Sequence, residues 1–94
     1  MKVYTIEYTE NAKKAIDKLD LPIRNRIKEW INKNLEGCEN PRFSGKALKG
    51  NLNDKWRYRV GGYRIIVEIQ DNKLIILVVN VSKRNDTYKK KNKK

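Results

Sequence analysis

Residues 55–82 constrain the architecture more than any other part of this 94-residue chain. Gly61-Gly62 separates Trp56–Val60 from Tyr63–Gln70, and a two-residue glycine loop is what a tight β-hairpin requires. Asp71-Asn72 then leads into a third strand over Lys73–Ser82, whose "LIILVV" is apolar on both sides. That pattern fits a central strand covered on both faces.

With the two glycines as the loop, Val60 faces Tyr63, Arg59 faces Arg64 and Arg57 faces Ile66. Alternation then sends Lys55, Arg57, Arg59 and Arg64 to one face of the hairpin. Trp56, Tyr58, Val60, Tyr63, Ile65, Val67 and Ile69 emerge on the other, which should receive helices. Those helices are legible upstream. "KVYTIEY" alternates as a first strand, with Tyr4, Ile6 and Tyr8 on one side. Thr9 is suited to cap a helix to about Lys18, with Ala12, Ala15, Ile16 and Leu19 on one face. Asp20 and Pro22 restart a helix striped by Ile23, Ile27, Trp30, Ile31 and Leu35, and Gly37 stops it. Cys38 to Asp54 reads as loop. The expected fold is α+β, in the order β-α-α-β-β-β. A small antiparallel sheet carries an N-terminal helical hairpin on one face, with a short basic C-terminal tail or helix. Residues 1–94 form a single domain in this reading, and 83–94 are a frayed basic segment.

The net charge is +12, and it is concentrated. Residues 42–64 hold seven Lys or Arg against one Asp, and residues 83–94 again hold seven against one. The rest of the chain balances, nine basic against nine acidic. Nucleic acid is the commonest partner for such a pattern, though an acidic protein or an anionic membrane also fits it. Lys46, Lys55 and Lys83 are the RNA-binding candidates within the two blocks. Like charges opposed across a ladder cost roughly 0.2–1 kcal/mol. Glu68 is the only acid in either hairpin strand. A phosphate among Arg57, Arg59 and Arg64 would relieve that cost, and the planar guanidinium matches it best. A merely solvated basic face is the plainer alternative.

The chain has no histidine and one cysteine, Cys38. Imidazole catalysis is therefore excluded, no metal or cofactor is expected, and a disulfide within the chain is impossible. No stretch approaches a membrane span and no signal peptide opens the chain, so a cytoplasmic protein is expected. RNA brings its own nucleophile, the 2′-hydroxyl. Guanidiniums can hold ribose and phosphate in line and stabilise the developing charge. Tyr88, four residues after Arg84 in "SKRNDTY", could serve as a base with its pKa lowered by cations, or could stack on a nucleobase. Tyr58 and Tyr63 read as core.

The order strand, helical hairpin, "LKG", basic strand, "GYR", apolar strand, "SKRNDTY" resembles the RelE toxins of the RelE–ParE superfamily. The distinctive part runs from Leu48 to Tyr88. The resemblance implies a ribosome-dependent endoribonuclease that enters the A site and cuts the mRNA there, silenced by a cognate antitoxin with an acidic segment. It places Arg57 and Arg59 at the basic positions before the turn and Arg64 at the scissile phosphate. Arg84 falls on the leaving-group side, Tyr88 at the late tyrosine, and Lys49 at an RNA-binding position. Lysines are familiar where Arg57 and Arg59 stand. A ParE-like toxin that poisons DNA gyrase is one alternative; such members typically lack the late tyrosine. A non-catalytic RNA-binding module is the other.

Overall fold

Thr9 decides where the first helix begins. In the computed structural model, which describes residues 2–48 and 55–83, strand β1 spans Thr5–Tyr8 and helix α1 Glu10–Asp17. Thr9 Oγ1 accepts the Ala12 N–H at 3.0 Å, which satisfies one of the donors a first helical turn leaves open. Its backbone N–H donates to the Val78 carbonyl at 3.0 Å, so the cap is also tied to the sheet. Helix α2, Leu21–Asn34, carries Pro22 in its first turn, while Asp20 makes no side-chain capping bond. Arg24 Nη2 lies 3.4 Å from the Asp17 and Leu19 carbonyls, serving acceptors that the end of α1 leaves open.

Strands β2 (Lys46–Ala47), β3 (Lys55–Val60), β4 (Tyr63–Gln70) and β5 (Ile75–Lys83) complete a five-stranded sheet in the order β1-β5-β4-β3-β2. The hairpin register is the expected one: Val60 pairs with Tyr63, Arg59 with Arg64, Arg57 with Ile66 and Lys55 with Glu68. Gly61 has φ +60° and Gly62 does not share the positive φ, which makes the turn type II′. The helical hairpin covers the face carrying Tyr58, Ile65, Val67, Ile76 and Val78, all buried beneath Ala12, Ile27 and Ile31. This is the expected α+β class.

Two details depart from the expectation. The sheet is mixed, because β1 runs parallel to β5, Thr5 opposite Ile75 through Tyr8 opposite Val78. The helical hairpin and three strands separate β1 from β5 in the chain, so no tight turn forces the two to be antiparallel. The region read as loop also contributes β2, with Lys46 opposite Arg57 and Ala47 opposite Trp56. A two-residue strand has no alternation to read; its partner creates it.

Strand β5 is irregular. Ile66 pairs with Asn80 but Val67 pairs with Val78, so Val79 is an extra residue, a β-bulge. The bulge restores phase so that Val81 as well as Val78 is buried under the helices. Ile75 and Leu77, on the other side, are half-buried, so the run "LIILVV" is fully covered on one face only. Among the described residues no helix is long and apolar enough to cross a membrane.

Candidate active site

The ladder brings the predicted cations together. Arg57, Arg59 and Arg64 share the face away from the helices, as the register requires, and Lys55 is on it too. Lys46, read only from the charge block, joins them because β2 sets it directly opposite Arg57. Arg59 is exposed; Lys55, Arg57 and Arg64 are half-buried. Ser82 stands opposite Arg64 and Asn80 opposite Ile66, adding neutral hydrogen-bonding groups.

Two ion pairs form among the described residues, Lys13–Glu10 and Arg42–Asp71. Arg59 and Arg64 are therefore neutralised by neither, although they face each other across the ladder. Arg64 Nε is buried and has no hydrogen-bond partner among the described residues. A buried donor of a charged group without a partner is costly, and an anion arriving on this face would remove that cost. A separate hollow of about 260 Å³, at the β2–β3 edge of the sheet, is lined by Trp30, Ser44, Gly45, Lys46, Arg57 and Arg59, among others.

The loop before β2 is held by side chains. Arg42 makes a bidentate bond to Asp71, both contacts at 3.0 Å, and Tyr4 donates to the same carboxylate at 2.6 Å. Trp56 Nε1 donates to the Ser44 carbonyl at 2.7 Å, and the Tyr58 hydroxyl donates to the Pro41 carbonyl. Arg42, counted above in the basic block, is thus spent on structure. Its guanidinium, then the Tyr4 hydroxyl, hold the Asp71 carboxyl below its ordinary range. Burial pushes the Tyr58 phenol far up, so Tyr58 is a core residue and not a base. Burial likewise raises the Cys38 thiol, which suits an inert role.

Lys83 is set apart. It pairs with Tyr63 and so belongs to the helix side, because the bulge shifts the phase of β5. Lys49, Arg84 and Tyr88 lie outside the described residues, as does the remainder of the basic tail. The sequence reading also missed cations. Arg26 of α2 brings its guanidinium against the Gly61 turn, 3.5 Å from where a Cβ would stand. Lys14 and Lys18 of α1 line a groove with Lys83. The stretches outside the two basic blocks, 1–41 and 65–82, are neutral in sum, but neutrality along a sequence is not neutrality in space. The i, i+4 spacing of Lys14 and Lys18 was the available signal. Among the described residues no group of three metal-binding side chains is assembled.

The comparisons with known proteins agree with this architecture. Residues 6–88 match the family model described as the ParE toxin of the type II toxin–antitoxin system parDE. A putative RelE-like toxin protein of Escherichia coli is 34% identical over 89 residues, covering 90% of each chain. The mRNA interferase toxin RelE of Escherichia coli K12 is 30% identical, covering 86% of this chain and 83% of its own. The solved toxin–antitoxin complex RelBE2 from Mycobacterium tuberculosis superposes with a TM-score of 0.80 at 28% identity, over 92% of this chain and 97% of that one. The chain belongs to the RelE–ParE superfamily and is a RelE-family toxin of the type II toxin–antitoxin kind.

Proposed function

We propose that this chain is a ribosome-dependent endoribonuclease that cuts mRNA in the A site and so inhibits translation. The observation that supports it most is the Arg59–Arg64 pair, opposed across the ladder with no described carboxylate to neutralise either. The relative named mRNA interferase points the same way. In the reaction the ribose 2′-oxygen attacks the adjacent phosphorus and the bond to the 5′-oxygen breaks. The products are a 2′,3′-cyclic phosphate and a 5′-hydroxyl. One proton leaves the 2′-hydroxyl and one reaches the 5′-oxygen. Arg64, Arg59 and Arg57 hold the phosphate and stabilise the charge of the phosphorane, while Arg84 and Tyr88 complete the set at the leaving group and the ribose. Lys46, Lys49 and Lys55 bind flanking phosphates, and Lys83 binds RNA from the other side of β5. Charge stabilisation of this kind is worth roughly 10²–10³ in rate per donor.

A cognate antitoxin with an acidic segment neutralises the basic face. Its affinity is expected to weaken as salt rises; affinity unmoved by salt would remove electrostatics as its main contribution. The test of the activity is translation in a purified system with a defined A-site codon, the cut position mapped by primer extension with and without ribosomes. Cleavage that needs the ribosome and drops at least a hundredfold in Arg64→Ala is the expected result. Because the matching family model is that of a ParE toxin, a toxin that acts by protein contact is the second reading. Growth arrest without any RNA cleavage would select it.

A further inference from the structure

Strand β1 stops at Tyr8, opposite Val78, while β5 continues to Lys83. Among the described residues no strand therefore lies beside the last five residues of β5 on that edge, and α1 lies there, with Asn11 Nδ2 donating to the Val79 carbonyl at 3.3 Å. Between them runs a groove of about 470 Å³, whose lining includes Lys14, Lys18, Lys83, Asn80, Ser82 and Tyr63. Among the described residues no carboxylate lines it. Asp17 faces the other side of α1, near Lys13 and Lys28, and neither described ion pair involves Lys14, Lys18 or Lys83.

We infer that this groove binds the backbone of the substrate RNA strand where it continues beyond the cut site. The inference rests on the endoribonuclease reading and adds to it a second, sequence-independent contact. Continuity is the main argument: Ser82 lies in the groove and is the ladder partner of Arg64. Ser82 on the arginine face and Lys83 on the helix side both line the groove, so a strand with one phosphate at Arg64 reaches it by passing round the end of β5. Three lysines suit phosphates and not bases, which is backbone binding without sequence readout. Half-buried Tyr63 offers a ring on which a base can stack. Residues 84–94 contain six Lys or Arg and one Asp, so their charge does not complement the groove.

The test measures binding of uncleavable 2′-O-methyl RNA, a trimer and a dodecamer, to the full chain and to Lys14→Ala/Lys18→Ala. The parent is expected to bind the dodecamer more tightly. The double variant should lose about fivefold to tenfold on the dodecamer, with a salt slope smaller by about 1.4, since each phosphate contact on a single strand contributes roughly 0.7. Its affinity for the trimer should not change. Equal affinity of the parent for both lengths, an unchanged dodecamer, or an equal loss on the trimer overturns the inference. So does a double variant that loses only a poly-glutamate peptide, which would make the groove a protein site. Arg64→Ala separates the two proposals. If it weakens the trimer while the lysines do nothing, only the groove falls; if it weakens neither RNA, the endoribonuclease reading falls as well.

Discussion

A Cβ added to Gly45 would stand 2.4 Å from the Arg57 carbonyl oxygen, at a residue whose φ is +83°. Both the space and the backbone angle exclude other residues, so Gly45→Ala should cost on the order of 2 kcal/mol in urea unfolding. The same substitution should displace Lys46 from its place opposite Arg57. The Arg42–Asp71 clasp makes a second prediction at this scale. The folded-state pKa of Asp71 is depressed, so its contribution is complete above the ordinary carboxylate value of about 4. It is lost as pH falls through the lower folded value. The pair is largely exposed, with side chains 43% and 58% accessible, and contributes within the roughly 0–1 kcal/mol of surface pairs. Asp71→Asn should therefore show a shallower fall in melting temperature below pH 4 than the parent, and identical slopes would contradict this. At this scale the sequence revealed which residues are charged, not which charges are spent. Arg42 and Arg59 look alike in the chain and differ because Asp71, 29 positions away, reaches one of them.

At the scale of the element, the hairpin carries opposing demands. Its turn, register and two faces were legible, since Gly61-Gly62 allows one pairing and alternation does the rest. Setting Arg59 against Arg64 costs stability, so Arg59→Gln should raise unfolding free energy by a few tenths to about 1 kcal/mol. The gain should be larger at low salt than at high salt. RNA cleavage should fall in the same variant. A variant that is both less stable and as active would show that the pair is neither strained nor used. The bulge at Val79 was not legible. It depends on how β5 must meet both β4 and the helices, and no local propensity marks it. It is also what turns Lys83 to the helix side.

For the whole molecule, one buried layer joins α1 and α2 to the sheet. Ile27, fully buried, is central to it, and Ile27→Ala should cost about 2–5 kcal/mol in chemical denaturation. By itself the sequence determined the periodic elements: the hairpin, the two amphipathic helices, and the side of the hairpin on which the arginines gather. These follow from glycine placement and apolar spacing, which act over a few residues. Only the tertiary structure decided that β1 lies parallel to β5, that residues 46–47 become a strand, and that Lys14, Lys18 and Lys83 line one groove. Those outcomes depend on contacts between residues far apart in the chain, where no local spacing rule reaches and packing alone chooses the neighbour.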